Sequence, residues 1–316
     1  MNPYVFIVGC PRSGTTLFQR VVDAHPELAV IDETLWILRL YRRSEGVTAD
    51  GLVTPRVIDD LLADRRFVRL DLPIADVERL LDGGRTPYTR FVSGIFDLYG
   101  RSRGKPLVGD KSPGYVRRIP TLHQLFPEAR FVHLIRDGRD VALSATGWKK
   151  ADRIFRGWPD WPDDPWTTAA LWWERSVRLG RDASGLLPPG RYHEVKYEAL
   201  VADPQAESRK LCAFLDLPYD EAMVRFHEGR TRPQRGRGTK SQWLPPTSGL
   251  RDWRTQMSAD ALERFEAAAG DLLDELGYGR GVPAPREERF EHAAAARQAV
   301  RQNMLAQDRR LPRAWA

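Results

Sequence analysis

A chain of 316 residues with 49 basic and 43 acidic side chains carries a formal charge of +6, and its length allows one large domain or two small ones with a core that needs no staples. Two cysteines, Cys10 and Cys212, exclude a disulfide framework and a cysteine-based zinc site and fit a reducing compartment. Hydrophobic residues at 42% and charged residues at 29% exclude wholesale disorder, and the absence of any run of about 18 apolar residues excludes a predicted membrane span.

The amino terminus, MNPYVFIVG, has neither a basic segment nor a cleavage site and reads as the start of a mature, cytoplasmic chain. Residues 4–9, YVFIVG, are a continuous apolar run with β-branched and aromatic content, the mark of a strand buried on both faces. PRSGTT follows, and LFQRVVDAH then puts Leu17, Val21 and Val22 on one side of a short helix. Residues 28–31 predict a second strand. Residues 35–104 predict short helices joined by polar turns, clearest at 59–62 and 74–81. Residues 106–109 predict a strand that leads into Asp110-Lys111-Ser112-Pro113, and 119–126 a helix with Pro120 in its first turn. RFVHLI, residues 130–135, predicts another strand, which ends at Arg136-Asp137-Gly138-Arg139-Asp140 before a helix over 141–148.

The stretch 153–166 predicts a long loop rich in Trp, Pro and Asp. Its Trp158, Trp161 and Trp166 are candidates for a lid or an apolar pocket, whereas Trp172 and Trp173, on a helix over 167–187, read as core. Residues 192–197 predict a strand and 204–215 an amphipathic helix. Residues 229–250 are rich in Gly, Pro and Arg, without periodicity, and a loop of that length reads as functional. The clearest helix is 258–276, with Ser258 as N-cap, a stripe of Leu262, Phe265, Ala269, Leu272, Leu273 and Leu276, and Gly277 at its end. Residues 286–316 form a charged, Ala-rich helical extension. The segment 225–254 carries +6 and the extension +3, which leaves the rest of the chain at −3. The excess is thus two local segments, of which one can line an anion site.

Strands alternating with helices predict an α/β fold, P-loop-like and three-layered, with a central mostly parallel sheet flanked by helices. The expected organisation is one domain over 1–285, with a helical insertion at about 35–104 and the loop 225–254, followed by the extension 286–316.

Two motifs carry chemistry. Gly9-Cys10-Pro11-Arg12-Ser13-Gly14-Thr15-Thr16, between a strand and a helix, suits backbone N–H groups turned around an anion at a helix N-terminus. It keeps the glycines and hydroxyl of a Walker A loop, but Thr15 stands where the lysine belongs and Arg12 is the nearby cation. A magnesium-dependent P-loop kinase is therefore disfavoured. The second motif places Arg136 at a strand end, where open α/β sheets bind ligands, with Ser144 two helical turns on. A guanidinium and a hydroxyl meeting there suit a phosphate, and the same Arg136, Asp137, Arg139 and Asp140 can equally pair among themselves. The six histidines have no metal-ligand spacing, so no metal site is expected; His25 and His123 are alternative bases.

Strand–PRSGTT–helix followed about 120 residues later by strand–RDGRD…Ser144–helix resembles the sulfotransferases that use 3′-phosphoadenosine 5′-phosphosulfate (PAPS), through most of residues 4–279. Val195-Lys196-Tyr197-Glu198-Ala199-Leu200 with Asp203-Pro204, and Leu250-Arg251-Asp252-Trp253-Arg254, extend the likeness. Glu33-Thr34, Lys111-Ser112-Pro113 and Leu125-Phe126-Pro127 resemble the tyrosylprotein and heparan branches and bacterial relatives more than the cytosolic small-phenol branch. The resemblance implies that Arg12, Ser13, Gly14, Thr15 and Thr16 hold the 5′-phosphosulfate, Arg136 and Ser144 the 3′-phosphate, and Tyr197 the adenine. It implies Glu33 as catalytic base, with Arg12 and Lys111 beside the transferring group. The Arg-Lys-Gly run of the cytosolic branch is replaced by Pro246-Thr247-Ser248, and Asp252 stands where the tyrosylprotein branch has a lysine; Lys240, Arg251 and Arg254 are the cations able to stand in.

The expectation is a cytoplasmic, metal-independent sulfotransferase that uses PAPS and releases PAP. Its acceptor would be a small metabolite, lipid or glycan hydroxyl in preference to a protein, with no nucleic-acid partner and a homodimer left open. A P-loop small-molecule kinase and a non-catalytic nucleotide- or nucleic-acid-binding protein are the rival readings.

Overall fold

A computed structural model describes residues 3–43, 46–228 and 251–308. Five strands, β1 (Val5–Gly9), β2 (Leu28–Asp32), β3 (Leu107–Lys111), β4 (Arg130–Ile135) and β5 (Tyr192–Lys196), form one sheet in the order β2-β3-β1-β4-β5. Every pairing is parallel. The register sets Ile7 of β1 opposite Lys111 of β3, and Gly9 opposite Leu134 of β4. The carboxyl ends of β3, β1 and β4 therefore lie side by side.

Numbering only helices of eight residues or more, the chain contains α1 (Thr15–Asp23), α2 (Trp36–Arg43), α3 (Tyr88–Arg103), α4 (Gly138–Thr146), α5 (Pro165–Ser184), α6 (Pro204–Leu215), α7 (Ala259–Glu275) and α8 (Glu287–Asp308). Alternation along β1 explains the layers. Tyr4, Phe6 and Val8 join one core with α2, α3 and the short helices Arg56–Leu62 and Arg65–Val68. Val5 and Ile7 join the opposite core with Phe18, Val21 and Val22 of α1 and Leu211 and Leu215 of α6. Helices thus cover both faces, as an all-parallel sheet requires.

The 35–104 region contains short helices at Arg56–Leu62 and Ile74–Glu78, near the expected places. It also contains the sixteen-residue α3, which periodicity did not reveal. Ser258 caps α7 by accepting from the Ala261 N–H at 3.2 Å. A third core joins α4, α5, α7 and α8, and Ala293, Ala296 and Val300 of α8 are buried in it. Arg286 of the α8 entry pairs with Glu263 at 2.7 Å, and Arg297 with Glu174 at 2.8 Å. The extension therefore packs on its own chain at least as far as Asn303, whose side chain donates to the Gly157 carbonyl. Among the described residues no helix is long and apolar enough to cross a membrane, and no group of three His, Cys, Asp or Glu side chains could hold a metal ion.

Candidate active site

β1 ends at Gly9, and the loop from Cys10 to Gly14 turns the chain into α1. Gly14 occupies the N-cap position at φ 87° and offers no side-chain cap, so the first N–H groups of α1 are left for a ligand. A Cβ at Gly14 would stand 2.3 Å from the Tyr197 ring, so glycine is needed both for the backbone and for that approach. The Ser13 hydroxyl is buried without a hydrogen-bond partner among the described residues, the condition of a group that awaits an acceptor. Arg12 adopts φ 78°, a left-handed conformation costly for a residue with a side chain.

That strained backbone directs the Arg12 side chain across the sheet edge. Its Nε donates to Ser144 Oγ at 2.9 Å, and its guanidinium lies over the Trp148 ring at 5.1 Å. Arg136 follows β4 directly; it donates to Asp140 Oδ2 at 3.0 Å, and its guanidinium lies 4.4 Å from the Tyr197 ring centroid. Arg136 Nε is buried without a partner among the described residues. Burial, then the positive charges of Arg251 and Arg136, hold Arg12 below the usual arginine range. Three guanidiniums thus converge beside an uncapped helix N-terminus, an arrangement that a polyanion completes.

The RDGRD segment also pairs internally. Arg139 is fully buried and bonds Asp137 at 2.7 Å and Glu266 at 2.7 Å, with Trp253 stacked 3.6 Å from its guanidinium. Asp137 caps α4, and the Trp253 N–H donates to Asp140 at 3.0 Å. One arginine of the motif is structural, and the other faces the cleft. Trp173 Nε1 donates to the Arg136 carbonyl at 3.0 Å, so this buried tryptophan fixes the strand end.

On the other side of β1, β2 ends at Asp32 and the chain turns through Glu33 at φ 60°. Lys111, almost fully buried, sits 2.5 Å from Asp32 and 3.9 Å from Glu33. Arg66 Nε and Nη2 each donate to Glu33 Oε2 at 3.3 Å. The structure thus brings Glu33 and Lys111 together as expected and adds Asp32 and Arg66, which sequence reasoning did not single out. The Thr34 N–H donates to Asp110 Oδ1 at 2.9 Å and to Ser112 Oγ at 3.1 Å, and the Tyr115 hydroxyl donates to the Thr34 carbonyl at 2.5 Å. Burial pushes the Asp110 carboxyl up to about 7.

Of the other expected residues, Arg254 is 68% exposed and stacks on Trp253, so it is not gathered with Arg12 and Arg136; Arg251 is the cation near Arg12. Lys240, and with it most of the basic segment 225–254, lies outside the described residues. His25 uses Nε2 on the Pro218 carbonyl and Nδ1 on the Glu27 N–H, so neither ring nitrogen is open for a base. The loop tryptophans pack inward. Trp161 stacks on Phe155 at 4.1 Å, and Phe155 meets Trp158 and Trp172 edge-on in the core that α8 covers. Trp148 lies under the Arg12 guanidinium; the crowding of tryptophans was visible in the sequence, but not which one would meet Arg12.

A family model described as "Sulfotransferase family" matches residues 3–221. Protein-tyrosine sulfotransferase A of Caenorhabditis elegans is 27% identical over 236 residues, which cover 72% of this chain and 53% of that protein. Protein-tyrosine sulfotransferase 1 of Homo sapiens is 25% identical over 283 residues, 87% of this chain and 70% of that one. The chain thus spans about half the length of the nematode relative. Among solved structures, the sulfotransferase domain of the Synechococcus PCC 7002 olefin synthase superposes with a TM-score of 0.59 at 24% identity, over 88% of this chain and 95% of that domain. That likeness shows the same fold.

Proposed function

Because the chain belongs to the sulfotransferase family, we propose that it moves a sulfuryl group from PAPS to a hydroxyl acceptor, with Glu33 as the base. Family and fold carry sulfuryl transfer itself; the donor and the base are the finer reading. The observation that supports PAPS most is the meeting of Arg12, Ser144 and Arg136 beside the open N-terminus of α1, with Tyr197 alongside. In this reading Ser13, Thr15, Thr16 and the α1 N–H groups hold the 5′-phosphosulfate, Arg136 and Ser144 the 3′-phosphate, and Tyr197 the base ring.

The transfer follows from the residues. The acceptor oxygen attacks sulfur, its proton passes to the Glu33 carboxylate, and the bond from sulfur to the bridging phosphate oxygen breaks with its electron pair leaving on PAP. Lys111 and Arg12 flank β1 and stabilise the charge that grows on the bridging and non-bridging oxygens. Residues of this chain offer an acceptor for the one proton that moves and cations for the charge that develops, and no metal is proposed. The reaction is proposed to be cytoplasmic, in keeping with two buried free cysteines.

The motifs shared with the tyrosine-modifying relatives surround the donor and carry no acceptor information. A small metabolite, lipid or glycan hydroxyl remains the proposed acceptor, with a tyrosine peptide as the competing arm of the test. Calorimetry with PAP in the absence of magnesium is expected to show binding; no binding removes the donor assignment. Labelled PAPS with the acceptor panel then identifies the acceptor. Glu33→Gln is expected to abolish turnover and keep PAP affinity, and full turnover in that variant removes Glu33 as base.

A further inference from the structure

We propose that Asp110, assisted by Ser112 and Tyr115, is the positioning residue that fixes where Glu33 stands; this rests on Glu33 being the base. Glu33 occupies a left-handed backbone conformation, which persists only where the surroundings determine it. Those surroundings include hydrogen bonds at its own N–H and at the N–H and carbonyl of the next residue, Thr34. The Glu33 N–H donates to the Lys111 carbonyl at 3.1 Å. The next N–H, of Thr34, donates to Asp110 Oδ1 and Ser112 Oγ, and the Thr34 carbonyl accepts from Tyr115. Ser112 Oγ also donates to Asp110 Oδ1 at 3.2 Å, which closes the network.

All of these partners sit on the end of β3 and the turn that follows it, the segment that carries Lys111. Base and cation are therefore held by one rigid element, and their separation is set there. Asp110 is fully buried, and its Oδ2 has no hydrogen-bond partner among the described residues. A carboxylate in that place serves the backbone of another strand and not its own. The charged or titratable groups facing it are Lys111 and the Tyr115 hydroxyl.

The test compares kcat, KM for PAPS and PAP affinity in Asp110→Val, Asp110→Asn and Tyr115→Phe. Asp110→Val removes the acceptor of the Thr34 N–H and is expected to lower kcat about 10- to 100-fold, the scale of a misplaced catalytic group, while PAP affinity stays within about twofold. Asp110→Asn keeps an oxygen for Thr34 and is expected to restore most of that loss. If Asp110→Val fails to fold, Tyr115→Phe removes one of the two donors to the Thr34 carbonyl, the other being the Ile37 N–H, and so loosens the adjoining peptide; it is expected to lower kcat about 10-fold at unchanged PAP affinity. Unchanged kcat in Asp110→Val or Tyr115→Phe overturns the proposal, and so does an Asn variant as impaired as the Val variant. Glu33→Gln is run alongside. Full turnover there removes the base reading and this proposal with it, whereas an inactive Glu33→Gln beside a fully active Asp110→Val removes the positioning role alone. Adding Asp110→Val to Glu33→Gln is expected to cost nothing further.

Discussion

The Arg12 guanidinium spans two elements 132 positions apart, bonding Ser144 and resting on Trp148. A lysine keeps the charge but neither the planar fork nor the stacking face. Arg12→Lys is therefore expected to lower kcat more than it weakens PAP binding, as read from paired turnover and calorimetry. Arg136 has the opposite signature. Its loss removes charge-assisted hydrogen bonds worth about 1.5–3 kcal/mol, so Arg136→Ala should weaken PAP affinity roughly 10- to 100-fold; unchanged affinity would remove it from the donor site. Asp110 gives a stability test. Its folded carboxyl holds a proton up to about 7, against an ordinary value of 3.8, so the wild type loses stability relative to Asp110→Asn as pH rises from 4 to 7. His133, buried and pushed down to about 4 from 6.5, acts in the other sense over an overlapping window: its contribution is lost as pH falls from 6.5 to 4. The difference in thermal midpoint between Asp110→Asn and wild type isolates the Asp110 slope, because both keep His133. Arg12, Arg136, Ser144, Tyr197, Glu33 and Lys111 were legible because local motifs announce them. Asp32, Arg66, Trp148 and the service of Asp110 were not, because each acts through a contact between segments that sequence spacing does not relate.

At the scale of elements, α8 covers the cluster of Phe155, Trp158, Trp161 and Trp172 with Ala293, Ala296 and Val300. Buried methylenes contribute about 0.8 kcal/mol each, so removing residues 286–316 is expected to lower the thermal midpoint by several degrees, promote aggregation through the bared tryptophans and leave PAP affinity within about twofold, since the side-chain hydrogen bonds of Arg297 and Asn303 on α8 go to Glu174, Ala268 and Gly157 and not to the proposed donor residues. A PAP affinity that falls with the truncation would show that α8 supports the donor site. The five strands were readable to within a residue or two, and for β1, β2 and β4 the reason is that both faces of a buried parallel strand must be apolar. Helix α3 was not readable, although it is sixteen residues long. Its glycines disguise it: a Cβ at Gly94 would come within 2.7 Å of Leu80, and one at Gly100 within 2.8 Å of the Lys105 carbonyl. Those positions serve close packing at the expense of helix propensity. The loop tryptophans were ambiguous for another reason, since composition cannot say whether an aromatic cluster faces solvent, ligand or another helix.

At the scale of the whole molecule, the proposed donor site lies where β1 separates β3 from β4, so PAP would tie together segments from Arg12 to Tyr197. Such a ligand stabilises the fold as a unit: at 100 times its Kd, PAP should add about 2.7 kcal/mol. A differential scanning experiment is expected to show that upward shift without magnesium, and a much smaller one for Arg136→Ala at the same concentration. The position of β1 has a further consequence, for biosynthesis. Val5 finds its neighbours only at Gly109 and Arg130. At roughly 5–20 residues per second, the ribosome needs on the order of 6 to 25 seconds to deliver the second of them. Through that interval VFIVG is an apolar strand without its full sheet and a site for nascent-chain aggregation or chaperone capture. The segment that ends in the anion loop thus waits for both of its sheet neighbours, each of which follows it by more than 100 residues.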